Sequence, residues 1–124
     1  MGVSLNYRFE PARPLDQNER GELLRLVSEA NAAEPSTAEP IEFFEAGGDG
    51  TEQWHGSSKL PLEGADIQAW LQHALATLST LRRRFPEADW EVDLEEAPVD
   101  WDEGRGFSLP GLDDPAVMGA FLGF

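Results

Sequence analysis

The chain has 124 residues, enough for one domain with a real core, and 40% of them are hydrophobic, including four Trp and seven Phe, which excludes a disordered acidic tail. Twenty-four acidic residues against nine basic ones give a formal charge of −15, which disfavours nucleic acid and anionic membrane as partners and favours a basic one. Cysteine is absent, so disulfides, thiol catalysis and thiolate metal sites are excluded.

The first ten residues lack the basic-then-apolar layout of a signal peptide, and no apolar run has the length of a membrane span. The expected location is therefore the cytoplasm. All the basic residues are Arg except Lys59, a bias that points to a GC-rich bacterial genome or a high-salt host.

Residues 3–10 alternate cleanly, with Val3, Leu5, Tyr7 and Phe9 on one side and Ser4, Asn6, Arg8 and Glu10 on the other. That is the pattern of a half-buried strand. Asp16 stands three residues before Glu19, a capping box that announces a helix. Within it Leu23, Leu24, Val27 and Ala30 are expected to share the buried face, with Leu15 and Leu26 at its margins. A loop rich in turn formers, "EPSTAEP", follows. Residues 41–45 read as a short aromatic strand. "AGGDG" at 46–50 reads as a hairpin turn, and the returning strand covers 51–57 with Trp54 inward.

The strongest helical pattern is 65–85, where Ile67, Trp70, Leu71, Ala74, Leu75, Leu78, Leu81 and Phe85 form one apolar stripe. Arg82, Arg83 and Arg84 occupy its last turn, favourable at the carbonyl end of the dipole, and Pro86 follows. Residues 89–95 alternate again, Trp90, Val92 and Leu94 inward, Glu91, Asp93 and Glu95 outward. Beyond them, 99–109 reads as a small hairpin. In the final segment Pro115 opens a short helix, and 116–124 is apolar nearly all round.

The order β-α-β-β-α-β predicts an α+β, ferredoxin-like sandwich: four antiparallel strands with both helices on one face, followed by a C-terminal extension from residue 97 within a single domain 1–124.

The stretch "EQWHGSSKLP", residues 52–61, carries the chain's lone lysine and His55. A phosphate loop is a poor match, because the second glycine is missing, Pro61 removes an N–H, and Glu63 and Asp66 already occupy the start of the helix. Ser57 and His55 share one side of a strand, yet no nucleophile elbow or oxyanion hole accompanies them. His55 and His73 lie on different elements, and His73, off the apolar stripe, is expected in solvent. "DWDEG" at 100–104 begins like a calcium loop, but Arg105 stands where its glycine belongs and Gly111 where its closing Glu belongs. No catalytic residue, metal site or cofactor is therefore expected, and residues 52–61 read as the end of a strand with a rim loop.

Helices on one face leave the other open. The residues expected there, or extending its charge, are Glu42, Phe44, His55, Glu91, Asp93, Glu95, Asp100, Trp101 and Asp102. Carboxylates among aromatics suit a basic protein partner, as in a small inhibitor or immunity protein. Two rivals stand beside this reading. One is a small enzyme or ligand-binding domain with a pocket near His55, Ser57 and Trp101. The other is a homodimer joined through residues 113–124.

Overall fold

The computed structural model of the chain describes residues 4–33, 40–46, 52–60, 64–95 and 97–108. In chain order the elements are β1 (Ser4–Glu10), α1 (Gln17–Ala33), β2 (Phe44–Ala46), β3 (Gln53–Lys59), α2 (Gly64–Arg84), β4 (Asp89–Leu94), β5 (Ala97–Pro98), β6 (Asp100–Asp102) and β7 (Gly106–Ser108). The protein is α+β. Its main sheet has five strands in the order β2-β3-β1-β4-β5, every pairing antiparallel, and β6 with β7 forms a separate two-stranded sheet.

The expected sheet of four strands is thus corrected to five. Glu95 takes a left-handed φ of 49°, so the chain turns sharply after β4 and lays Ala97 and Pro98 back along it. Asp and Asn tolerate that conformation better than Glu does. Here it is held by two bonds to Ser4: the Glu95 N–H donates to the Ser4 carbonyl at 3.2 Å, and Glu95 Oε1 accepts the Ser4 N–H at 2.7 Å.

One face of the sheet is buried. Leu5, Tyr7 and Phe9 of β1, Trp54 and Ser58 of β3, and Trp90, Val92 and Leu94 of β4 are all at most 8% exposed. All of these except Ser58 join Leu23 and Val27 of α1 and the full predicted stripe of α2 in a single cluster. Phe9 lies at its centre, 4.4 Å from the Trp90 ring, 5.5 Å from Phe43 and 6.3 Å from each of Trp54 and Phe85. Burying such a ring stabilises the fold by roughly 1.5–3 kcal/mol.

Helix α1 begins at the predicted capping box. The Glu19 N–H donates to Asp16 Oδ1 at 2.8 Å, and the Asp16 N–H donates to Glu19 Oε1 at 3.1 Å. Its buried face is set by Leu23 and Val27, with Leu26 and Ala30 half-buried, whereas Leu24 points outward and is 56% exposed. Four apolar positions spread round too wide an arc for one helix face, and Leu24 is the one left over. His73 is not in solvent either. It is half-buried between the helices, with Nε2 2.9 Å from the Ala30 carbonyl of α1.

Strand β2 begins later than the aromatic run suggests, at Phe44, and β3 runs on to Lys59. "GSSK" is therefore strand and not rim loop, with Gly56 and Ser58 on the buried face. A Cβ at Gly56 would lie 2.0 Å from the Glu42 carbonyl oxygen and 2.4 Å from the Tyr7 ring. Only glycine admits that approach. Ser58 donates to the Pro40 carbonyl at 2.8 Å, so the Tyr7 hydroxyl, 2.8 Å away, donates to Ser58 Oγ and accepts the Glu42 N–H at 2.9 Å. The two hydroxyls, the Glu42 N–H and the Pro40 carbonyl are thereby paired.

Three side chains tie the layers together. Glu52, its side chain 8% exposed, accepts from the Leu15 N–H at 2.9 Å, from Trp54 Nε1 at 3.1 Å and from Arg20 at 2.5 Å. Burial acts to raise the Glu52 pKa, but those three donors together hold it below the ordinary carboxylate range. Arg84 grips Glu22 with two bonds of 2.6 Å, joining α2 to α1. In the same C-terminal part of α2, Ser79 accepts the Phe107 N–H at 2.8 Å and donates to the Leu75 carbonyl at 2.6 Å, docking β7 onto the helix. The predicted hairpin at 99–109 thus exists as β6–β7. The predicted turn at 46–50, apart from Ala46 at the end of β2, and the short helix after Pro115 lie outside the described residues.

Candidate functional site: the open face of the sheet

The outward positions of the strands form rows fixed by register. One row runs Phe44, His55, Arg8, Glu91 across β2, β3, β1 and β4. The next runs Ser57, Asn6, Asp93, Pro98 across β3, β1, β4 and β5. Two-residue alternation places these side chains together as surely as it buries their neighbours.

Polar contacts cross both rows. Arg8 bonds Glu91 Oε2 through Nε at 2.7 Å, and its terminal NH2 meets the same oxygen. Ser57 donates to Asn6 Oδ1 at 2.7 Å, and Asn6 Nδ2 donates to Asp93 Oδ1 at 2.9 Å. At the other side of the face, Phe44 is 53% exposed and its ring lies 6.3 Å from the His55 ring. Two adjoining depressions, of about 430 and 420 Å³, cover the surface and share Arg8, His55 and Glu91 in their linings. Both are partly open to solvent.

Of the residues singled out in the sequence, Phe44, His55, Glu91 and Asp93 do share this face. The aromatic is not interleaved with the carboxylates, however. Phe44 sits at the β2 side and the acids at the β4 side, three strand spacings or about 14 Å apart. Glu95 has left the face through its turn to Ser4. Glu42 precedes β2, its backbone held by the Tyr7 hydroxyl from the buried side, with its side chain exposed at the margin.

Asp100, Trp101 and Asp102 form β6, on a different sheet. There Trp101 packs at 4.9 Å on Phe107 and lies under two guanidinium groups, Arg82 at 4.3 Å and Arg83 at 5.3 Å. Its Nε1 donates to Glu103 at 3.0 Å, while Asp102 Oδ1 caps its own turn through the N–H groups of Gly104 and Arg105. Cation–π contact explains both the half-burial of this Trp and its distance from the open face.

Arg8 and Asn6 were missing from the residues picked out in the sequence, although the alternation of 3–10 had already placed them outward, and Ser57 stood only among the candidates of the rival pocket reading. They change the character of the surface. A face read as strongly acidic carries a cation, Arg8, on its central strand, already paired with Glu91. Ser57 spends its hydroxyl hydrogen on Asn6 rather than on His55. Among the described residues no group of three or more His, Asp or Glu is close enough to hold a metal ion, and no helix is long and apolar enough to cross a membrane. No protein-family model matches the sequence, and no curated protein matches it.

Proposed function

We propose that the chain is a ferredoxin-like binding module of the inhibitor or immunity type, which takes a basic protein partner on the open face of its sheet. The β2-β3-β1-β4 order, with β5 as an added edge strand, supports the ferredoxin-like reading of the fold. The observation that carries the functional reading is the exposed Phe44 beside His55, in a partly open concave surface whose far side bears Glu91 and Asp93. An exposed aromatic offers a desolvated anchor, and the acids offer steering and pairing for Arg or Lys. The formal charge of −15 adds a long-range field of the same sign.

The test is affinity capture with the intact chain, with the partner identified by mass spectrometry, and then titration of that purified partner. Phe44→Ala and the pair Glu91→Lys, Asp93→Lys should each weaken binding at least tenfold without lowering the melting temperature, and added salt should weaken it further. Unchanged affinity in both variants would overturn the reading.

A further inference from the structure

Strand β4 is covered unequally along its two sides. β1 pairs with it from Asp89 to Leu94, whereas β5 pairs only with Asp93 and Leu94. One more bond, from the Val99 N–H to the Val92 carbonyl at 2.9 Å, extends that outer cover before the chain leaves for β6 at Asp100. Backbone groups alternate in direction along a strand, so Trp90 turns its N–H and C=O to the same outer side as Val92. Among the described residues neither group has a backbone partner.

A groove of about 480 Å³ follows this stretch. Buried Trp90, Val92, Val99 and Phe107 bound it on the helix side, together with Arg82, while Glu91 and Asp93 bound it on the open-face side.

We infer that this edge accepts an extended segment of the partner as an added strand, one that alternates Arg or Lys with aliphatic side chains. The inference rests on the basic-partner reading above and adds the route and the pattern. Side chains of an added strand fall alternately on the two faces. Those on the open-face side meet Glu91 directly and Asp93 only at the end of the groove, beside Pro98 of β5, which already occupies its outer cross-strand position. Each of the two acids has committed one oxygen inward, Oε2 to Arg8 and Oδ1 to Asn6, which leaves Oε1 and Oδ2 as acceptors for an incoming cation. Those on the helix side meet an apolar rim, where the Arg82 guanidinium, 4.3 Å over Trp101, disfavours a second cation. Charge and apolarity therefore select opposite residue types at successive positions.

The probe is a capped seven-residue peptide alternating Arg and Val, compared with two copies N-methylated at alternate residues, one in each register. Amide hydrogen exchange of the intact protein, followed by NMR, is the readout. In the free protein the Trp90 N–H should exchange at least tenfold faster than that of Glu91, which pairs with β1. The peptide should slow Trp90 at least tenfold, and one of the two N-methylated copies should bind at least tenfold more weakly. A Trp90 amide already protected in the free protein would overturn the inference, since the edge would then be covered by the chain itself. Equal binding of both N-methylated copies would also overturn it. Binding that moves the Phe44 and His55 resonances but leaves Trp90 exchange unchanged would sink the edge inference while leaving the open-face reading standing.

Discussion

The two faces of the main sheet are made by the same strands and obey opposite rules. On β1, Phe9 touches four aromatic rings and is 1% exposed, while its neighbour Arg8 is an exposed side chain whose partner is the equally exposed Glu91. On β3, Gly56 and Ser58 are locked by Tyr7 and Glu42, while His55 and Ser57 between them meet solvent. The buried face carries stability through packing and satisfied polar groups. The open face is nearly free of that duty, because exposed ion pairs contribute only about 0–1 kcal/mol. A surface so released from folding is free to be shaped by recognition.

The largest expected effect tests the buried side of that contrast. Phe9→Ala should cost about 3–5 kcal/mol in urea unfolding, since it empties the centre of the aromatic cluster. A cost under 1 kcal/mol would mean that the packing around Phe9 is not what holds the layers together. Gly56→Ala comes next, at roughly 2–3 kcal/mol, because its Cβ meets a backbone carbonyl rather than the end of a flexible side chain. If it proved neutral, the close approach of Glu42 to β3 would be wrong.

Glu52 gives a smaller and pH-dependent effect. Glu52→Ala should destabilise by about 1–3 kcal/mol, leaving the Leu15 N–H and Trp54 Nε1 without their acceptor. The Glu19, Glu22 and Glu52 carboxyls all lie below the ordinary value of 4.5 in the folded protein. Glu19 is lowered by the Asp16 N–H and then by Arg13, and Glu22 by its hydrogen bonds with Arg84. Near that value the unfolded chain binds more protons than the folded one, so stability rises with pH there. The contribution is fully present above about pH 4.5 and is lost as the pH falls through the lowered folded values. Melting temperatures measured between pH 6 and pH 3 should therefore fall, and Glu52→Ala should flatten the curve. An unchanged slope in that variant would show that Glu52 is not a source of the acid sensitivity.

The smallest effects belong to the open face. Phe44→Ala and Arg8→Ala should each shift unfolding by no more than about 0.5 kcal/mol. Paired with Phe9→Ala, they measure the contrast directly on adjacent or facing positions. A shift above 1 kcal/mol in either would mean that the open face also serves the fold, and would weaken its reading as a surface kept for a partner.

Much of this was legible in the letters. Strict alternation at 3–10 and 89–94, the Asp16–Glu19 box and the stripe from Ile67 to Phe85 fixed the elements and their buried sides, because period and capping are local properties. The ends of β2 and β3 were less legible. Phe43 and Phe44 are equally apolar in sequence, yet one is 9% exposed and the other 53%. Alternation puts the two on opposite sides, as expected for Phe44, and the pairing of Phe44 with His55 fixes which of them is outward. Leu24 was misplaced because a helix face is chosen by what packs against it.

The sequence by itself determined the alternation, the helical stripes and the strong acidity, since each is written in the spacing and identity of neighbouring residues. Only the tertiary structure decided which charges meet. It brought Arg8 to Glu91 and Asn6 to Asp93, carried Trp101 away to Arg82, and turned Glu95 off the sheet to Ser4. Those pairs lie between 19 and 91 positions apart along the chain. Strand register and helix docking select them, and both are set by the fit of the whole core.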